Sequence, residues 1–272
     1  MDRNLIIDVG VHTGQDTKFY LKKGFRVVGI EAHPDIYESI KRQLNSYIES
    51  GQLTLLNITV SSKDEPITFY ANLDRSFWGT ISPDRVKESD CSFCTPSLEM
   101  TVTGSRFESI LEEFRIPYYL KDNLKVDIEG SEPPCISVLG RFDAKPQFIS
   151  IESTKASWNT LLEELELLKK LGYQKFKAVN QAKVTQEVCP SPARKGKYIP
   201  YQFECGASGP FGEETPGDCP SESEVLKVLY KGIFTNYKIF GVNGIIYHFA
   251  IGKILLGSLK IKEPWYDINA SL

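Results

Sequence analysis

Several things are scarce in this 272-residue chain, and each scarcity excludes something. No apolar run reaches the ~18 residues of a membrane-spanning helix; the longest candidate, 244–256, is broken by His248 and Lys253. The N-terminus enters an apolar strand-like run almost at once, with no basic-then-apolar leader ahead of it, so a cytoplasmic setting is the plain expectation. Charge of one sign is not in large excess: the formal net charge is −3, which argues against nucleic-acid binding carried by bulk positive charge. Cysteines number six, and Cys91-x-x-Cys94 has zinc-knuckle spacing, but no second close pair accompanies it. Cys189, Cys205 and Cys219 share one loop and can in principle complete a site; reduced, unpaired thiols are the favoured reading.

What is present is an ordinary globular composition, 41% hydrophobic and 25% charged, enough for one elaborated α/β domain. Its organising stretch is Asn4 to Glu31, NLIIDVGVHTGQDTKFYLKKGFRVVGIE. An apolar run leads to Asp8, glycines follow at Gly10 and Gly14, a helix is expected over Gln15–Lys23, and a second apolar run closes on Glu31. This is a βαβ unit with a glycine turn, suited to a nucleoside-bearing ligand. Glycine lets the backbone approach a ligand, and a carboxylate after the second strand can accept from both ribose hydroxyls. A dinucleotide turn carries G-x-G-x-x-G; here the third glycine is missing and the pattern is D-x-G-x-x-x-G.

Beyond Glu31, His33-Pro34 marks a turn and Asp35 is expected to cap a helix running to about Ile48. Thr54–Val60 reads as a third strand, Pro66–Asn72 as an extra one and Ser76–Cys94 as loop. Glu99–Val102 is a short strand before a helix over Ser105–Phe114. Lys125–Ile128 and Gln147–Ile151 are further strands, the second closing on Glu152, and Trp158–Leu171 is a periodic helix stopped by Gly172 before a strand over Tyr173–Val179. The alternation calls for a doubly wound, mostly parallel sheet with helices on both faces. Right-handed crossovers would bring Asp8, Glu31, Asp127 and Glu152, with His12 and His33, to one edge.

From Gln181 to Ser221 the composition turns to Gly, Pro, Ser, Lys and Cys, expected to be a lid over the site or a flexible insert. Helices are expected over Val225–Tyr237 and Ile245–Leu259. Between Val225 and Lys262 lie six lysines and no acid, compatible with weak contact to a membrane surface or with a packed helix pair whose lysines face water.

Lys125-Val126-Asp127-Ile128-Glu129-Gly130-Ser131-Glu132 resembles the K-I-D-V-E-G-A-E signature of FkbM-type methyltransferases. Asp8-Val9-Gly10…Gly14, Glu31-Ala32-His33-Pro34, Ser61-Ser62-Lys63-Asp64, Phe148–Glu152, Ser208–Gly217 and Trp265-Tyr266-Asp267 resemble the same group, in order along nearly the whole chain. The resemblance implies a Rossmann-like class I methyltransferase fold of seven strands. Its last strand would be antiparallel, near Trp265–Asn269, with residues 181–262 as a lid and helical insertion before it in a single 1–272 domain. It also implies S-adenosylmethionine (SAM) as cofactor and a hydroxyl of a small molecule, sugar or glycan as acceptor.

Under that resemblance the turn of Gly10 and Gly14, with His12, admits the methionine part of SAM, Asp8 reaches its amino group and Glu31 its ribose. Ala32, Val60 and Ser61 lie near the adenine, and Asp127 borders the cofactor. Removing the acceptor's proton falls to Asp127, Glu129, His33 or Glu152, with His12 in reach of the same edge. A divalent ion held by Asp127, Glu129 and Glu152 is the less favoured route. A nicotinamide-dependent oxidoreductase and a catalytically silent SAM-binding module are the alternatives.

Overall fold

The computed structural model describes residues 4–87, 96–114, 116, 123–129, 132–142, 144–152, 158–217, 221–231, 239, 245–246 and 265–272. Cys91, Cys94, Cys219, Gly130 and most of the stretch expected to form the last two helices lie outside these.

A seven-stranded sheet forms the centre, in the order β3-β2-β1-β7-β8-β10-β9. Its strands are β1 (Leu5–Val9), β2 (Arg26–Ile30), β3 (Leu53–Leu56), β7 (Asn123–Val126), β8 (Phe148–Glu152), β9 (Lys175–Asn180) and β10 (Tyr266–Ser271). Strands β3 to β8 pair in parallel; β10 inserts antiparallel between β8 and β9, with Asp267 opposite Glu152 and Val179. The fold is the expected Rossmann-like α/β one. Strand β1 is buried at all five positions, which is why Leu5, Ile6 and Ile7 follow one another without alternation and Asp8 is buried with them.

Two apolar layers flank the sheet. Leu5, Ile7, Val9, Leu124, Val126, Ile149, Ile151 and Ile268 pack on one side with α4 (Phe107–Glu113), α5 (Glu132–Val138), α6 (Trp158–Lys170) and α7 (Glu222–Leu229). Ile6, Val27 and Leu53 pack on the other with α1 (Gln15–Lys22) and α2 (Pro34–Gln43). Asp8, Lys125, Asp127, Glu152 and Asp267 alternate with the first set along their strands, so they belong to the α1 side. Ser221 opens α7 with a reciprocal capping box to Glu224.

Three expectations need correction. The cap of α2 is His33, whose Nδ1 accepts from the Asp35 N–H at 3.2 Å, with Pro34 in the first turn; Asp35 itself lies inside the helix, which stops at Leu44 before a short α3 (Asn45–Glu49). The third central strand ends at Leu56, and Thr59–Val60 is β4 of a second sheet, ordered β4-β6-β5 with β5 (Pro66–Asn72) and β6 (Ser97–Ser105). Residues 203–215 are not a flexible insert; besides its packing, the stretch reaches the acid cluster, where the Ser208 N–H donates to the Asp16 carboxylate at 2.9 and 3.0 Å. Phe203, Ala207 and Phe211 are core residues against Phe19, Tyr20 and Phe25, and the Glu214 carboxylate meets the Lys23 ammonium at 2.7 Å with both side chains fully buried. This stretch is a strap along α1. Gly212 arrives beside Asn123 and Phe148, at the N-terminal ends of β7 and β8 and so at the sheet edge opposite the clustered acids. A cavity of about 170 Å³ lies at that opposite edge, bordered by Phe148, Lys177, Gly212 and Asn269.

Candidate active site

The turn after β1 folds back on the end of β2, the N–H groups of Gly10 and Val11 both donating to the Ile30 carbonyl. Gly10 has φ +89°, and a Cβ there would stand 1.9 Å from the Asp127 carbonyl oxygen. The residue is therefore fixed by the close approach of the β1 and β7 loops. Gly14, at φ +81°, is the N-cap of α1, and no side chain caps that end. Uncapped first-turn N–H groups beside a glycine turn suit a carboxylate, as on the amino-acid tail of SAM.

Glu31 sits where β2 ends. Its two carboxylate oxygens accept the His12 and His33 backbone N–H groups, each at 2.8 Å, and the residue is 7% exposed. Burial pushes its carboxyl up to about 7 against the pull of those two donors. The Ala32 backbone N–H pulls the same way, and a carboxylate, with about four acceptor sites, keeps capacity for a ribose hydroxyl. The carbonyls of Glu31 and Ala32 are held by the Asn57 side-chain amide at 2.9 and 3.2 Å. Asn57 was not singled out from sequence; it follows the true end of β3, which the longer expected strand hides. Val60 and Ser61 are buried at the start of the second sheet, with the Ser61 hydroxyl donating to the Lys63 carbonyl.

Asp8 is fully buried and accepts from the Thr17 hydroxyl at 2.5 Å. The Lys125 ammonium lies 3.5 Å from Asp8, from Asp16 and from Asp127. Burial lifts the Asp8 carboxyl to about 6 even beside that ammonium. Asp267 is also buried and its carboxyl is pushed well up, first by burial and then by the charges of Asp127 and Glu152. Several carboxylates thus share one ammonium, an environment that favours a cationic ligand such as a sulfonium. Asp8 itself is buried between Thr17 and Lys125. Together the glycine turn, the acceptor capacity of Glu31 and the acid-rich floor fit SAM.

The expected bases are placed unequally. Asp127 follows β7, and its side chain, 37% exposed, opens further from the protein than the buried carboxylates around Lys125. Glu129, at φ +52°, receives the Arg85 guanidinium at 2.7 Å, so its carboxylate is engaged in an ion pair. The His12 imidazole meets the Ser76 hydroxyl at 2.8 Å and burial lowers its basicity. His33 is occupied in capping α2. Glu152 ends β8, paired in register with Asp267. Among the described residues no three His, Cys, Asp or Glu side chains are brought together to hold a cation, so Asp127, Glu129 and Glu152 do not assemble into a ligand set. The sequence also missed Arg85 and Thr80, whose hydroxyl donates to the Glu129 carbonyl, because they fall in a stretch with no periodic pattern.

Among the described residues no helix is long and apolar enough to cross a membrane. No curated protein matches the chain. Solved structures do. A precorrin-6y C5,15-methyltransferase from Geobacter metallireducens GS-15 shares 11% identity over 100% of this chain and 82% of its own, at a TM-score of 0.41. A SAM-dependent methyltransferase from Archaeoglobus fulgidus shares 13% over 99% and 86%, at 0.38. A methyltransferase FkbM from Methylobacillus flagellatus KT shares 16% over 65% of this chain, at 0.41, and the match spans 40% of that longer protein. Residues 8–175 match the family described as the methyltransferase FkbM domain. On that match, which runs from Asp8 near the end of β1 through the Asp127 strand end to Lys175, the chain belongs to the FkbM family of SAM-dependent methyltransferases.

Proposed function

We propose that the chain methylates a hydroxyl of a small molecule, sugar or glycan, with Asp127 as the base. The observation that carries this reading is the unequal engagement of the groups at the sheet edge. Glu129, His12 and His33 each hold another part of the chain, whereas the partly exposed Asp127 carboxylate meets Lys125 only at 3.5 Å.

SAM supplies an electrophilic methyl group on a positively charged sulfur. Glu31 would hold the ribose, and the uncapped start of α1 the carboxylate end of the amino-acid part. Carboxylates around Lys125 would favour the sulfonium charge while the ligand is bound. A hydroxyl is a weak nucleophile at neutral pH, so proton removal must accompany attack. Asp127 would take the acceptor's proton as the acceptor oxygen displaces the donor's sulfur from the methyl carbon, and the proton would stay on the carboxyl group. A cytoplasmic setting belongs to the proposal, and the free thiols of Cys135, Cys189 and Cys205 speak for it.

The test is a thermal-shift titration followed by transfer of labelled methyl from SAM to a panel of sugars and polyols. Stabilisation by S-adenosylhomocysteine but not by NADH, with label on an acceptor oxygen, is expected. Stabilisation by NADH alone sinks the reading, and cofactor binding without transfer to any hydroxyl sinks the acceptor assignment.

A further inference from the structure

Among the described residues, two that are not glycine have positive φ: His12 at +51° and Glu129 at +52°. They follow the neighbouring strands β1 and β7. Left-handed backbone at a non-glycine residue is costly and persists where surrounding contacts hold it. Both residues hold the same stretch of chain. The His12 ring meets the Ser76 hydroxyl at 2.8 Å and lies edge-on to Phe77 at 6.2 Å between centroids. The Glu129 carbonyl accepts from the Thr80 hydroxyl at 3.0 Å, and its carboxylate takes the Arg85 guanidinium at 2.7 Å.

The far side of the stretch is seated as firmly. Thr80 and Tyr70 exchange backbone bonds at 2.8 and 3.1 Å, tying it to β5. Gly79 packs against the tip of the Phe69 ring, where a Cβ would stand 2.4 Å from Cζ, and the His33 ring meets the same phenylalanine edge-on at 6.2 Å. Residues 76–85 thus reach the segments that follow β1 and β7, through His12 and through Glu129, two residues beyond Asp127. Phe77 stays 53% exposed, and Trp78 lies under the Arg75 guanidinium at 4.3 Å.

We propose that residues 76–85 form the acceptor-side wall of the methyl-transfer site, offering Phe77 and Trp78 to a hydroxylated ring, with Ser76 and Arg85 as the positioning residues that seat it on His12 and Glu129. This rests on the methyl-transfer reading. The wall is linked to the cofactor side through one residue, since the His12 N–H donates to Glu31. Glu129 is then a positioning residue, acting through Arg85, and not the base.

Trypsin reads the seating directly, because Arg75 precedes the wall. In Ser76→Ala and Arg85→Ala, cleavage after Arg75 should quicken at least tenfold, Arg85→Lys should restore part of the protection, and S-adenosylhomocysteine affinity should stay within about twofold. Unchanged cleavage overturns the seating. Cofactor affinity lost in parallel with protection also overturns it, since that marks general unfolding. The acceptor face is tested by titrating p-nitrophenyl glycosides onto the S-adenosylhomocysteine complex and following quenching of Trp78, with Trp78→Phe as blank. Binding weakened fivefold or more in Phe77→Ala is expected; no binding to the parent protein, or equal binding to both, overturns the ring assignment. Neither readout needs turnover, so failure of methyl transfer itself shows separately in the unaltered enzyme.

Discussion

The Lys23 ammonium and the Glu214 carboxylate, 191 residues apart, meet at 2.7 Å with both side chains wholly buried. The carboxylate also accepts the Arg194 and Lys195 backbone N–H groups, at 2.9 and 3.2 Å. A buried charge with that many donors is well compensated, and removing one partner leaves the other uncompensated. Glu214→Ala should cost about 3–5 kcal/mol in urea unfolding. Lys23→Met with Glu214→Leu should recover part of that loss, because replacing both charges removes the desolvation cost. A strap this anchored serves stability; an equal loss in the double variant would mean that the apolar pair does not fit.

Glycines 10 and 51 separate two reasons for the same residue type. Both have positive φ, but a Cβ at Gly51 meets nothing within 4 Å, whereas at Gly10 it would collide with the Asp127 carbonyl. Gly51→Ala should therefore cost only the left-handed backbone penalty, about 1 kcal/mol. Gly10→Ala must push the β1 and β7 loops apart and should abolish S-adenosylhomocysteine binding, or prevent folding altogether. Calorimetric titration of the two variants side by side checks this; tight cofactor binding by Gly10→Ala would contradict it.

The contrast also shows what was legible in the sequence. Most of the central sheet was, because apolar runs ending in acids and spaced by helical periods leave few ways to be wound; antiparallel β10 came only with the family resemblance, and the end of β3 was hidden. The glycine turn was legible for the same reason, its spacing being local. The strap was not: Phe211 among turn formers looks like a loop tip, and its burial depends on Phe19, Tyr20 and Phe25, distant in sequence. Nor were the partners of Glu129, since Thr80 and Arg85 reach it across 49 and 44 residues from an aperiodic stretch. Long-range polar contacts have no period to betray them.

Glu31 makes both stability and cofactor affinity depend on pH, with opposite signs. Its carboxyl titrates near 4.5 when unfolded and near 7 when folded. Between those values the folded state holds the extra proton, so raising pH favours unfolding, by up to about 3 kcal/mol above pH 7. Below pH 4.5 the penalty is absent. Glu31→Gln should therefore gain stability relative to the parent at pH 8 but not at pH 4.5. Ribose hydroxyls, however, donate best to the ionised carboxylate, so S-adenosylhomocysteine should bind the parent more tightly as pH rises from 6 to 8, by up to about tenfold. That slope should vanish in Glu31→Gln, whose affinity should be low throughout. A parent whose affinity is flat across this range would show that Glu31 does not carry the ribose.

Asp127 and Glu129, two residues apart, should respond differently to loss of charge. Asp127→Asn keeps the shape of a side chain that touches Lys125 only at 3.5 Å, so folding and S-adenosylhomocysteine affinity should change little. Turnover should fall about 10²–10⁴-fold, the usual contribution of a positioned base. Glu129→Gln loosens the Arg85 grip and should raise the acceptor KM more than it lowers kcat. Steady-state kinetics with the acceptor varied at saturating SAM distinguish the two. If Asp127→Asn retains turnover while Glu129→Gln loses it, the base is Glu129 and the Arg85 ion pair must open during the reaction. If both retain it, the proton leaves by another group on the same edge, and Glu152, in register with the buried Asp267, is the next to replace.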